Sequence, residues 1–296
     1  MESLNIVIDR KNTNNEIDIF DKKKDIYKLF EYMDYLILTP KDNKYEYALF
    51  FFAGFNENAG KYIHLLKPFF ENFTKVSKIK FKIILPMLKK VSRNETTKSN
   101  FVDYNDYRYE YVYTWNILIK DENLNRIGFN TYKDLDDFVI NLINKEIIKL
   151  GNQDKIIFCG FSMGGRYMTY VLENMNIKPK FNLLFKSPIT IYNIKNEKNF
   201  HIVNKLSLKE FKYKSLDKNI LRKGDYLKNK FYLLYSINDK LLSLPEGLLT
   251  YEMIKNEFYQ VKMKIDNGKK HVVDYNCLEY LKEILLKEIV YNKAKF

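Results

Sequence analysis

Glycine, proline, cysteine, histidine and tryptophan are all scarce in this chain, with 10, 6, 2, 3 and 1 copies among 296 residues. Two cysteines cannot staple a disulfide-dense secreted scaffold. Cys159 and Cys277 suit a reducing compartment, where they are expected as buried apolar thiols. Three histidines and two scattered cysteines do not assemble a metal cluster by spacing, so no metal is expected. Uninterrupted apolar runs of the roughly 18 residues needed to span a membrane are also missing. Met1-Glu2-Ser3 opens a polar stretch without a signal-peptide core, position 2 is not a myristoylatable glycine, and Asn292 to Phe296 is no prenylation box. The expectation is a soluble cytoplasmic protein without a lipid anchor.

What the chain has in quantity is apolar surface and positive charge. Hydrophobic residues make up 46% and aromatic ones 16%, enough for one large domain with a substantial core. The net charge of +13 comes from lysines scattered among Asp and Glu, in a chain enriched in Lys, Asn, Ile and Tyr along its whole length, as A/T-rich codon usage alone would produce. Without a basic block, a nucleic-acid partner is not expected. Weak peripheral attraction to acidic membrane surfaces remains compatible with the charge.

Residues 1–30 are polar and read as a loose extension, with the organised domain spanning 31–296. Strands are predicted at 33–38, 47–53, 79–85, 156–159, 181–186, 231–237 and 261–265, several of them continuously apolar as buried parallel strands require. Helices are predicted at 61–73, kinked or restarted at Pro68, and then at 131–150, 163–174, 245–259 and 274–291. Thr131 with Asp134 reads as the opening of the second helix and Gly151 as its end. Between Met87 and Asn130 no period holds, although the Tyr107 to Tyr113 alternation fits either an extra edge strand or an acyl-channel wall ending at Trp115. Residues 188–230, lysine-rich and aperiodic, read as a lid-like insertion. Strands alternating with helices imply a mainly parallel doubly wound sheet flanked by helices.

The chemistry centres on Gly160-Phe161-Ser162-Met163-Gly164-Gly165, directly after Ile156 to Cys159. A G-x-S-x-G turn between strand and helix lifts a serine Oγ out of the sheet on a strained elbow, which makes Ser162 the candidate nucleophile. A serine hydroxyl needs a base within hydrogen-bond reach and a group to orient that base. His271 and Asp239 follow the last two predicted strands, where sheets of this class carry their functional loops. His64, in a helix, and His201, in the insertion, are the competing bases; Asp266 and Asp225 are the competing acids. For the oxyanion, the Met163 amide lies next to the nucleophile at a helix start, and the Phe55 amide lies in the loop after the 47–53 strand, where Gly54 lets the chain bend.

Phe-Phe-Ala-Gly-Phe-Asn at 51–56, Ile84-Leu85-Pro86, Trp115, the 160–165 elbow, Asn238-Asp239 and Gly268-Lys-Lys-His271 together resemble the acyl-protein thioesterase, phospholipase and carboxylesterase family of α/β hydrolases. The resemblance covers about residues 45–290. It implies the α/β-hydrolase fold, a Ser162, Asp239, His271 triad, and cleavage of acyl thioesters or carboxylic esters without a cofactor. S-acylated protein is the first substrate class implied, and lysophospholipid or monoglyceride the second; Gly54 and Trp115 would border the substrate. The family usually has His-Gly where this chain has Ala53-Gly54, and Gln where it has Met163. A non-catalytic protein of the same fold that binds a lipid or a partner is the rival from another class.

Overall fold

The computed structural model describes residues 15–16, 27–31, 34–92, 111–120, 126–187, 228–242, 244–257, 260–268 and 270–291. In chain order these form β1 (Asn15–Glu16), β2 (Tyr27–Glu31), β3 (Tyr35–Pro40), β4 (Tyr47–Phe52), α1 (Gly60–Ser77), β5 (Phe81–Pro86), β6 (Lys89–Ser92), β7 (Tyr111–Thr114), β8 (Asn116–Lys120) and β9 (Arg126–Thr131). There follow α2 (Lys133–Leu150), β10 (Ile156–Phe161), α3 (Met163–Met175), β11 (Phe181–Phe185), β12 (Lys230–Ser236), α4 (Leu244–Glu257), β13 (Gln260–Asp266) and α5 (Tyr275–Leu285), which runs into a π-helical turn at Leu286–Val290.

Nine strands form one sheet in the order β1-β2-β3-β5-β4-β10-β11-β12-β13. From β5 to β13 every neighbouring pair is parallel, while β3 runs antiparallel to β5. This is the α/β-hydrolase architecture, a mainly parallel sheet flanked by helices. All six residues of β4 and of β10 are buried, and so are all five of β11, because helices cover both faces of the centre. At the margin, β13 alternates half-buried residues with exposed lysines such as Lys262 and Lys264, a charged edge that discourages pairing with another chain.

The chain reverses its direction of progress at the middle of the sheet. After β4 it moves outward through α1 to β5; after β10 it moves the other way through α3 to β11. The carboxyl ends of β4 and β10 therefore flank a crevice at a topological switch point, where ligands of open α/β sheets bind.

Four local expectations are corrected. Helix α1 continues through Pro68 without a restart. The sheet begins before residue 31: β2 pairs with β3, and Tyr27, 1% exposed, shares a hydrogen bond with Thr74 of α1 at 3.0 Å. The aperiodic 87–130 stretch contains two small antiparallel pairs, β6 with β7 and β8 with β9, so Tyr111 to Thr114 form part of a separate ribbon and not an edge of the main sheet. Thr131 ends β9 and does not cap α2, whose N-cap is Tyr132; Gly151 does close that helix, at φ 72°.

Phe158, completely buried on β10, meets Phe50 and Phe52 edge-on with ring centroids 5.7 and 5.8 Å apart. Phe158→Ala is expected to lower the free energy of unfolding by about 3–5 kcal/mol through lost burial and the cavity left behind. Phe158→Leu should cost clearly less. Urea titration of both variants checks the order.

Candidate active site

Ser162 sits between β10 and α3 with φ 52° and ψ −123°, a region that side-chain-bearing residues rarely occupy. The elbow needs its glycines for close approach. A Cβ on Gly160 would run into the backbone of Gly165, one on Gly164 into the carbonyls of Phe52 and Ala53, and one on Gly165 into the Ser187 side chain. Helix α3 can therefore start hard against β4 and β10, which aims the Ser162 side chain out of the sheet. The Ser162 amide donates to the Phe185 carbonyl at 3.1 Å, and its carbonyl accepts from Ser187 Oγ at 2.6 Å and from the Gly165 amide at 3.1 Å. Every backbone group of the elbow serine is thus paired, and the strained turn is fixed from both sides.

The structure brings together all three residues proposed as a triad. Ser162 Oγ lies 2.8 Å from His271 Nε2, and His271 Nδ1 lies 2.7 Å from Asp239 Oδ2. The other Asp239 oxygen accepts the amides of Leu241 and Leu242 at 2.9 and 3.0 Å, so the loop after β12 folds around its own carboxylate. The His271 ring rests on Phe161, with centroids 4.9 Å apart. Asp239 is buried, whereas Ser162 and His271 are partly exposed. Burial opposes ionisation of the Asp239 carboxyl, but hydrogen bonds from His271 and from the Leu242 and Leu241 amides outweigh it and hold the group below the usual carboxylate range.

Two of the competing residues stand apart from the relay. His64 is exposed on α1, and Asp266 ends β13 with one oxygen accepting the Gly268 amide at 2.8 Å. His201, Asp225 and nearly all of the 188–230 insertion lie outside the described residues.

Phe55 stands in the loop after β4, and Met163 opens α3, so both proposed oxyanion amides border the crevice beside Ser162. The loop is anchored at three points. Trp115 Nε1 donates to the Ala53 carbonyl at 2.7 Å; the Gly54 amide donates to Glu57 at 3.2 Å; and the Asn56 amide donates to the Tyr113 carbonyl at 2.8 Å. Trp115 and Gly54, expected to border the substrate, are both buried. Trp115 is 0% exposed, stacked on Tyr167 with centroids 4.6 Å apart, and Gly54 is buried with its Cβ direction facing the Phe161 ring. Trp115 supports the loop from behind, and Gly54 lies within it. Sequence reasoning missed Glu57, whose carboxylate also receives Tyr62 and Lys61, and Ser187, which holds the elbow. Glu57 follows Gly54 by three residues, the spacing of a local side-chain clamp. Ser187 gives no local signal, because only the parallel pairing of β10 with β11 brings it to Ser162.

Among the described residues no group of three or more His, Cys, Asp or Glu side chains could hold a metal ion, and no helix is long and apolar enough to cross a membrane.

No protein-family model and no curated protein sequence matches the chain. Solved structures do. Zea mays acyl-protein thioesterase 2 superposes with a TM-score of 0.57 at 12% identity, covering 87% of this chain and 99% of that one. Arabidopsis thaliana SOBER1 gives 0.55 at 11% identity over 82% and 99%. The Bacillus cereus carboxylesterase gives 0.52 at 10% over 86% and 94%. The fold that these proteins share with this chain is that of α/β hydrolases.

Because its folded pKa is depressed, the Asp239 carboxylate contributes stability that is complete above its unfolded value of about 3.9 and is lost as the pH falls through the folded value. Wild type should therefore exceed Asp239→Asn in unfolding free energy by more near pH 7 than below about pH 4. Urea titrations at both pH values test this; a constant gap would remove the ionised carboxylate as its cause.

Proposed function

We propose that the chain is a serine hydrolase of acyl thioesters or carboxylic esters. The observation that carries this reading is the continuous relay from Asp239 through His271 to Ser162, on an elbow held at positive φ. In this mechanism Ser162 Oγ attacks the acyl carbonyl and passes its proton to His271 Nε2, while Asp239 accepts the Nδ1–H and stabilises the imidazolium. The amides of Phe55 and Met163 receive the oxyanion, the latter aided by the positive end of the α3 dipole. Collapse of the intermediate expels the thiol or alcohol with the proton from His271. Water then repeats the sequence on the acyl-enzyme and releases the carboxylic acid. No cofactor enters any step.

Apolar acyl groups fit the surroundings. Ile237 and Leu241, 50% and 61% exposed, flank Asp239, and Tyr275, 71% exposed, follows the His271 loop. Acylated protein is the first substrate class, with lysophospholipid or monoglyceride second, and the lysines of the chain would attract acidic membrane surfaces.

Ser162→Ala should abolish both ester turnover and labelling by a fluorophosphonate while preserving the fold. His271→Ala and Asp239→Asn should each lose most of the rate, with strongly non-additive combinations because the three act as a unit. Turnover persisting in Ser162→Ala would overturn the reading, and a wild type that neither labels nor turns over any ester would be a binding protein instead. Phe55→Pro removes an amide donor and is expected to lose roughly 2.7–4 kcal/mol of transition-state stabilisation. Phe55→Ala keeps the amide and should lose much less; equal kcat values would shift the role to the side chain.

A further inference from the structure

Lys186 combines three features that a surface lysine lacks. It is completely buried, it has φ 45°, and its ammonium reaches across the sheet to another loop. Nζ donates to the carbonyls of Lys270 at 2.9 Å and Val272 at 3.0 Å, and to Asp274 Oδ2 at 3.2 Å. The two carbonyls are those immediately before and after His271. Asp274 is the N-cap of α5, its Oδ1 accepting the Cys277 amide at 3.2 Å. One ammonium therefore uses its three protons to pin the His271 loop on both sides of the histidine and to tie that loop to the start of the last helix.

The position follows from topology. Lys186 directly follows β11, which lies between the strand that delivers Ser162 and the strand that leads to Asp239. Its own amide donates to the Leu234 carbonyl of β12 at 2.8 Å. The positive φ turns the chain there, so that the next residue, Ser187, reaches back to the Ser162 carbonyl while Lys186 reaches forward to the His271 loop. Tyr235 then donates to the Ser187 carbonyl at 2.5 Å and locks the pair in place. A buried, strained dipeptide whose two side chains grip the nucleophile and the base from one anchor point is a reason to look for function in the strain. Burying an ammonium is costly unless all its protons are satisfied, and a methionine or leucine would fill the same space without that cost.

We propose that Lys186 is a positioning residue that fixes the height and tilt of the His271 imidazole between Ser162 and Asp239. Its kinetic consequence rests on the serine-hydrolase reading; its structural consequence does not. The imidazole must keep two hydrogen bonds at once, and the loop that carries it is bounded by the exposed residues Lys270 and Tyr275. Releasing both flanking carbonyls lets the ring drift, and a drift on the order of 1 Å at a reacting group lowers the rate on the order of 100-fold.

The test compares wild type with Lys186→Met, which keeps the unbranched stem and removes all three donors, and Lys186→Gln, which keeps an amide donor. Two readouts are taken: ester kinetics with fluorophosphonate labelling, and the far-downfield proton resonance of the His271 Nδ1–H bonded to Asp239. Lys186→Met is expected to lower kcat and the labelling rate by about 10- to 100-fold with KM nearly unchanged, and to broaden or abolish the resonance; Lys186→Gln should recover part of both. A folded Lys186→Met that keeps the wild-type resonance and labelling rate overturns the proposal. So does failure of both variants to fold, which would make Lys186 a residue of fold stability. If wild type neither labels nor hydrolyses, yet the resonance is present and is lost in Lys186→Met, the hydrolase reading fails while the positioning role of Lys186 stands.

Discussion

The backbone at Ser162 is held at positive φ, a conformation that costs a residue with a side chain about 1–3 kcal/mol, and much of the centre of the molecule serves to keep it there. Release would let the elbow relax and turn Ser162 Oγ away from His271. Close approach prevents it. Gly160, Gly164 and Gly165 allow α3 to press on β4 and β10, leaving no room for the turn to open; the parallel neighbour β11 supplies the Phe185 carbonyl that binds the Ser162 amide, and Ser187, just beyond it, the hydroxyl that binds the Ser162 carbonyl. The sheet register thus fixes more than the core. It decides which residues at the end of β11 and beyond it lie against Ser162.

The same logic extends outward to the two loops that complete the site. Each is held by side-chain to backbone hydrogen bonds, from buried Trp115 and half-buried Glu57 for the loop after β4 and from buried Lys186 for the loop after β13. In each case one polar group, desolvated and paired, holds a carbonyl or amide of a loop that would otherwise be free to move. This accounts for buried polar side chains in a centre otherwise built of Phe, Leu, Ile and Tyr.

Legibility in the sequence follows the range of the interactions. The elbow, the strands β4, β10, β11 and β12, and the loops carrying Asp239 and His271 are visible because their signals are local: continuous apolar runs, glycines at fixed spacing, and chain order. The ribbons β6–β7 and β8–β9 are hidden because two-stranded pairs bury too little to impose a clean alternation, and Tyr-rich polar runs fit more than one structure. Pro68 misleads because tertiary packing of Leu66, Phe70 and Phe73 against the sheet outweighs the missing backbone donor. Trp115 misleads differently: an aromatic residue near a site on the sequence is equally consistent with lining a pocket and with filling the space behind it, and only the hydrogen bond to Ala53 distinguishes them. Lys186 and Ser187 are invisible for a topological reason, since their partners lie 84, 86 and 25 residues away and meet only once the parallel pairing is set.

An identity of 12% to a protein sharing the fold over 87% of this chain is physically intelligible on these terms. The core asks only for large apolar side chains in period, and a Phe-rich solution such as β4 fills the same volume as an aliphatic one. The elbow asks for absence of side chains at three positions. The relay asks for three functional groups at the ends of three strands. Few identities are demanded by name, and those few sit where two backbones touch or where side chains join in the hydrogen-bonded relay. The remaining positions answer to composition, and in this chain composition has drifted towards Lys, Asn, Ile and Tyr without disturbing either requirement.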